Sequence, residues 1–308
     1  MSAGAEAGEE NKACCASCGI IGGDKLKDCS ACKLVKYCGI ECQKKHRKEH
    51  KKECKRRMAE QRDELLFKQP ESSCLGDCPI CYFPLSLDLE ESTLWECCYK
   101  RICVGCAYAT MKREKERRLE YKCPFCRYVM ERSESEEDKI NLTKRRAEAN
   151  DPAALYDIGD MYHSEGDYIS AFECFSKAVA FGNYAPAHRE LSLMYHDGEG
   201  VEKDTKKRVY HFEEAAIGGD LIARHNLGYL EELLGNMDRA VKHWIIAANL
   251  GYDDSLESLK KYYRKGLVSK DDLASALRAH QAAVDATKSP TREEAEAAAL
   301  RWRNRKKK

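Results

Sequence analysis

The sequence predicts a multidomain fold: two small metal-held domains followed by an all-α solenoid of helix-pair repeats. Three observations lead there. Seventeen of the eighteen cysteines lie before residue 127, and Cys174 stands alone afterwards. Those seventeen fall into two clusters, each offering eight ligands at metal-binding spacing. From Asp151 the texture changes to apolar residues at helical steps, echoed at spacings of 33, 36 and 32 residues.

A chain of 308 residues has room for two or three domains. A cysteine-rich segment is either a disulfide framework in an oxidising compartment or a metal scaffold in a reducing one. The opening "MSAGAEAGEENKACC" has no basic start and no apolar run, unlike a signal peptide. No stretch is long and apolar enough to span a bilayer. The expectation is therefore a cytoplasmic chain, or a nuclear one, with its thiols reduced and zinc as the cofactor. A net charge of +1 argues against a bulk nucleic-acid binder and the lack of a spanning stretch against a membrane partner, leaving proteins or peptides. The boundaries read as a disordered N-terminus at 1–13, a first zinc domain at 14–56 and a helical linker at 57–73. A second zinc domain follows at 74–130, a charged linker or capping helix at 131–150 and helical repeats at 151–285. A basic tail, helical or disordered, closes the chain at 286–308.

The first cluster runs Cys15-x2-Cys18, Cys29-x2-Cys32, Cys38-x3-Cys42 and His50-x3-Cys54. A Cys-x2-Cys turn lets two thiolates face one tetrahedral ion at about 2.3 Å. Partners four apart, such as Cys38 with Cys42 and His50 with Cys54, share one helical face. Eight ligands fill two four-coordinate sites with no open position, which is structural rather than catalytic zinc. Cys14 and His46 lie close by at poorer spacing and are read as bystanders. The basic run Lys44–Arg57 is either a solvated helix face that offsets thiolate charge or a patch for an acidic partner. The stretch "CSACKLVKYCGIECQKKHRKEHKKEC", with Tyr37 before Cys38 and Gln43 after Cys42, resembles a MYND zinc finger. The resemblance implies a cross-braced fold, in which Cys15, Cys18, Cys38 and Cys42 hold one zinc and Cys29, Cys32, His50 and Cys54 the other. It also implies recognition of short proline-containing peptides. Arg47 stands where the family often carries a tryptophan.

The second cluster runs Cys78-x2-Cys81, Cys97-Cys98, Cys103-x2-Cys106 and Cys123-x2-Cys126. Its ends, "CPICY" and "CPFCR", resemble those of a RING domain in a cysteine-only variant. The resemblance implies that Cys78, Cys81, Cys103 and Cys106 share one zinc. Two ligands alone would not hold the second, so Cys97 and Cys98 are expected to join Cys123 and Cys126. The alternative is that only one of the adjacent pair binds and the site is degenerate. Cys74 is outside the pattern and reads as a free thiol. RING ubiquitin ligases dock a conjugating enzyme through an apolar residue in the first knuckle, a proline in the last and a cation after the final cysteine. Here those are Ile80, Pro124 and Arg127. The usual aromatic after the third knuckle has its nearest counterpart in Tyr108.

In the C-terminal half, "ALYDIGDMY", "AHRELSLMY", "ARHNLGYLE" and "SLESLKKYY" begin at 154, 187, 223 and 255. Each of the first three is followed by a second apolar-periodic run, and helix pairs of this period build α-solenoids. The segment "LMYHDGEGVEKD" resembles a Sel-one-like repeat, a relative of the tetratricopeptide repeat. Gly198 and Gly200 suit its loop because glycine tolerates left-handed backbone angles. Ala178, Ala215 and Ala247 recur where helices must approach closely. Tyr162, Tyr195, Trp244 and the histidines of this half read as core or rim.

Two function classes remain. The first is a RING-type ubiquitin ligase, possessing no covalently catalytic residue, with the MYND finger and repeats selecting substrate. The second is a non-catalytic zinc-binding adaptor. A methyltransferase has no support, since no cofactor motif is present and the solenoid fills the space a catalytic domain would need. The expected zinc content is about four ions per chain, from the four-ligand rule.

Overall fold

A computed structural model describes residues 13–22, 25–129 and 135–306. Most of the expected N-terminal tail lies outside these residues. The chain divides into two compact units, Met1–Lys68 and Gln69–Lys308.

The first unit has almost no hydrocarbon core. Its buried centre is Cys15, Leu26, Cys29, Cys32 and Tyr37. Two short strands, β1 (Lys27–Asp28) and β2 (Lys36–Tyr37), pair antiparallel. The helix α1 (Ile40–Leu66) then carries Cys42, His50 and Cys54 along its first four turns. It does not stop at the last ligand: the finger's helix and the expected spacer helix are one element. Ion pairs at helical spacing, Arg56 with Glu53 and Glu60, suit a solvated shaft and contribute only tenths of a kcal/mol each. Gln61 anchors the shaft to the finger, its amide donating to the Cys32 carbonyl at 2.9 Å.

The second unit opens with the other cysteine-rich module. Strands β2's successors β3 (Ser92–Trp95) and β4 (Lys100–Cys103) form an antiparallel hairpin, with Ser92 opposite Cys103 and Trp95 opposite Lys100. Helix α2 (Val104–Glu116) follows directly. Leu85, Trp95 and Ile102 are buried among the cysteines and supply what apolar core there is.

The segment read as a charged linker holds helix α3 (Glu136–Glu148), started by a capping box in which Ser135 and Asp138 satisfy each other's backbone N–H. Four helix pairs follow: α4 (Pro152–Ser164) with α5 (Tyr168–Gly182), α6 (Ala185–Asp197) with α7 (Thr205–Ile217), α8 (Leu221–Leu233) with α9 (Met237–Ala248), and α10 (Asp253–Tyr263) with α11 (Lys270–Ala286). Asp151, Asp167, Asp204 and Asp220 cap helix N-termini with their carboxylates, which stops one helix from running into the next. Ala178, Ala215 and Ala247 are fully buried between helices. Gly200 has φ +66° and passes so close to the Tyr168 carbonyl that a Cβ would collide with it. Trp244 is wholly buried and Tyr195 nearly so, while Tyr162 sits on the rim. The basic tail is the helix α12 (Pro290–Lys306).

This second unit joins its zinc module to its solenoid. Tyr99 at the tip of the hairpin donates its hydroxyl to Asp157 of α4 at 2.5 Å. The Cys74 amide bonds the Gly219 carbonyl at 2.9 Å, and Gln69 exchanges hydrogen bonds with Ile246 and Asn249. Helix α12 packs back along α2. The residues on either side of 131–150 are thus one packed body.

Candidate metal centres

Four cysteine turns share one local geometry, and it explains how the ligands are aimed. In each, the first cysteine's N–H bonds a carbonyl five or six residues on: Cys15 to Ile20, Cys29 to Val35, Cys78 to Phe83 and Cys123 to Tyr128, at 2.7–2.9 Å. Its own carbonyl accepts from the residue four on: Gly19, Lys33, Tyr82 and Arg127. That fourth residue is left-handed in every case, with φ between 57° and 74°. Only Gly19 advertises this in the sequence. Lys33, Tyr82 and Arg127 adopt an unfavourable backbone region for a side-chain-bearing residue. The leading cysteines are all buried.

These turns bring the ligands into four groups, each with its ligand atoms within 4.8 Å of one another. They are Cys15, Cys18, Cys38 and Cys42; Cys29, Cys32, His50 and Cys54; Cys78, Cys81, Cys103 and Cys106; and Cys97, Cys98, Cys123 and Cys126. In each module the pairs alternate between two sites, which is a cross-brace. A tetrahedron of sulfurs 2.3 Å from zinc has edges of about 3.8 Å. The observed separations include 3.6 Å for Cys18–Cys38, 3.9 Å for Cys29–Cys54, 3.8 Å for Cys81–Cys103 and 3.6 Å for Cys98–Cys123. They are far beyond a disulfide bond of about 2.05 Å. The donor sets therefore fit four structural zinc ions, and zinc would supply the cross-links that the small cores lack.

The adjacent pair is accommodated by a turn. The carbonyl of Trp95 accepts from both Cys98 N and Tyr99 N, at 3.1 and 2.7 Å, and Tyr99 has φ 55°. Cys97 then reaches Cys126 at 3.4 Å while Cys98 reaches Cys123. Both sulfurs thus face the same point. His50 points its Nε2 at Cys32, 3.2 Å away, whereas His46 stacks on His50 and bonds the Tyr37 hydroxyl through Nδ1. Cys14 and Cys74 belong to none of the four groups.

The electrostatics of the thiols match metal-ready sites. Backbone N–H groups, led by that of Cys38, hold Cys15 down at about 6. Burial opposes ionisation of Cys78, yet the amides of Cys103, Cys81 and Ile80 outweigh it and hold it at about 7. Their neighbours are driven the other way. Hydrogen bonding to the Cys42, Cys18 and Cys15 sulfurs pushes Cys38 up to about 12. Thiolates this close cannot all ionise unless a dication offsets their repulsion.

Ile80 lies between the ligands of one knuckle and is 38% exposed. Pro124 is half-buried in the last knuckle, and Arg127 is exposed beyond it. Tyr108 is half-buried on α2, and Arg47 is exposed on α1. Sequence reasoning missed Arg292, whose guanidinium reaches Cys81 Sγ at 3.8 Å. Nothing in "SPTREEAEAAAL" signals that contact, because it depends on where a distant helix lands.

Comparison with known proteins agrees with this layout. Residues 15–54 match the MYND finger family, and residues 152–180, 185–220 and 221–252 match the Sel1 repeat family. An uncharacterized protein of Neisseria meningitidis serogroup B is 28% identical over 142 residues, 45% of this chain and 30% of its own length. A Sel1 repeat protein from Oxalobacter formigenes is 28% identical, with 50% of this chain and 66% of that one covered at a TM-score of 0.43. A protective antigen of uropathogenic Escherichia coli with an SLR fold is also 28% identical, with 48% and 33% covered at a TM-score of 0.39. The chain thus spans about a third of the curated relative and just under two thirds of the first of these structures. It contains a MYND finger and Sel1 repeats, and its four ligand groups fit about four zinc ions.

Proposed function

We propose that this protein is a RING-type ubiquitin ligase whose MYND finger and Sel1 solenoid bind substrate or partner proteins. One observation carries the reading: Ile80, Pro124 and Arg127 all reach the surface of a cross-braced, two-site frame. Such a frame acts by positioning. It docks a ubiquitin-conjugating enzyme and holds the thioester-linked ubiquitin for attack, so no side chain of this chain forms a covalent bond. Ile80 would supply apolar contact. Arg127 carries a planar fork of donors, suited to holding two carbonyl groups at once. Its left-handed backbone, fixed by the bond from its own N–H to the Cys123 carbonyl, sets the direction in which the side chain leaves the knuckle. Fifteen cysteine ligands must stay reduced, which supports a working compartment in the cytosol or nucleus.

The adaptor reading has one observation in its favour. Helix α12 packs along α2, next to the surface a conjugating enzyme would use. The deciding experiment is autoubiquitination by the purified full chain with activating enzyme, ATP and a panel of conjugating enzymes. Ubiquitin chains that disappear in Arg127→Ala and Ile80→Ala proteins of unchanged zinc content are the expected result. No transfer with any conjugating enzyme, from protein loaded with zinc, refutes the ligase and leaves the adaptor.

A further inference from the structure

We propose that Arg292 is an outer-sphere cation of the Cys78, Cys81, Cys103 and Cys106 zinc site, so that the C-terminal helix secures a metal bound some two hundred residues earlier in the sequence. The proposal rests on zinc occupancy and is independent of ligase activity.

Helix α12 begins where Pro290 occupies its first turn and the Ser289 carbonyl accepts from the amides of Arg292 and Glu293. That turn lies on Gly105 of α2. A Cβ at Gly105 would come within 2.8 Å of the Arg292 backbone nitrogen and 2.9 Å of the Thr291 carbonyl carbon. Glycine, located between the ligands Cys103 and Cys106, is what admits the helix. Further along, Lys112 and Glu294 close the contact at 2.8 Å.

This approach delivers Arg292 to the first knuckle of the module. The residue is 9% exposed. Nη1 donates to the Pro84 carbonyl at 2.8 Å and to Thr287 at 2.5 Å, while Nη2 donates to the Phe83 carbonyl at 3.4 Å and to Cys81 Sγ at 3.8 Å. A buried guanidinium is costly unless it meets opposite charge. Four thiolates around one zinc ion carry a net charge of −2, and the N–H···S contact places the cation against it. Hydrogen bonds from outside the coordination sphere orient ligands and tune how firmly the metal is held. Here they also fix the loop after Cys81, through two of its carbonyls.

The alternative is that Arg292 merely ties the loop to α12 without acting on the metal. Cadmium substitution of the full chain distinguishes them, because each site gives its own ¹¹³Cd resonance and the mixed Cys/His site lies apart from the three all-cysteine sites. In Arg292→Gln, one all-cysteine resonance should move and the other three should stay. In chelator challenge of the zinc protein, one ion of the four should leave about 10- to 100-fold faster than from the wild type, the usual effect of losing an outer-sphere partner. Arg292→Lys, which keeps the charge but not the fork, should fall between the two. All four resonances unmoved, together with release within about twofold of the wild-type rate, overturns the proposal. Should Arg292→Gln fail to fold, Arg292→Lys decides alone: a shift at one site with faster loss of one zinc supports the proposal, and wild-type behaviour refutes it.

Discussion

Gly228→Ala separates two physical effects of opposite sign. Gly228 lies in the middle of α8, where alanine ordinarily favours the helix by about 1 kcal/mol. Its hydrogen atoms, however, face Trp244 of α9. An added Cβ would stand 2.3 Å from the indole nitrogen and 2.7 Å from Cδ1. The indole has nowhere to retreat. It is wholly buried, donates Nε1 to the His225 carbonyl at 3.3 Å and stacks on Tyr262 with ring centres 4.9 Å apart. Overpacking a closed core costs about 1–3 kcal/mol, and displacing the indole adds about 1 kcal/mol for the lost hydrogen bond. The clash wins, leaving a net loss of about 1–3 kcal/mol after the helical gain. For a domain of this size, about 2 kcal/mol lowers the melting temperature by about 4–8 °C. Far-ultraviolet circular dichroism of the zinc-loaded protein, by heat and by denaturant, measures it. In a Trp244→Phe background the same substitution should become neutral or stabilising, giving a coupling of about 0.5–3 kcal/mol. If Gly228→Ala raises stability in the wild-type background, α8 and α9 are not packed as closely as described. The equivalent position of the preceding repeat holds Ser192, whose hydroxyl donates to the Arg208 carbonyl at 2.8 Å, whereas the first repeat holds Gly159, where a Cβ would come within 2.7 Å of the Phe175 ring.

Metal analysis should return about four zinc ions per chain, and Cys97→Ser or Cys98→Ser should each reduce it to about three, since the Cys97, Cys98, Cys123 and Cys126 group needs all its ligands. A full complement in either variant would mean that the altered sulfur is not a ligand. Burial, with help from neighbouring His188, holds His211 at about 4 against an ordinary 6.5. Between those values the unfolded chain binds a proton that the folded chain refuses, so folding stability falls as pH drops from 6.5 towards 4, by less than about 1.4 kcal/mol per pH unit because solvent screens the half-buried ring. The stability difference between wild type and His211→Gln should therefore shift by that slope in favour of the variant, zinc loss being common to both. A difference independent of pH refutes the shift.

Much of the site was legible because metal spacing and helix periodicity are local properties. Pairs at x2 and x3 spacing marked thirteen cysteines and His50, and the echoes from residue 154 marked the helix pairs. The pairing of Cys97 with Cys98 was open in sequence terms, because two adjacent residues face one point only if the backbone turns between them. That turn depends on Trp95 accepting two amides and on Tyr99 going left-handed. The left-handed knuckle positions at Lys33, Tyr82 and Arg127 likewise carry no residue signature, since hydrogen bonding around the cysteine overrides their local preference.

The amino-acid order alone determined the ligand inventory, the number of metal ions to expect and the repeat character of the second half, since each is written within a few turns of chain. Tertiary structure alone decided that the second cysteine module and the solenoid form one body. It seated Tyr99 against Asp157, and it carried Arg292 to Cys81 across the emptied side of Gly105. Those contacts join residues far apart in sequence. Their distances depend on the summed rotations of every intervening helix, and no short window of sequence contains that sum.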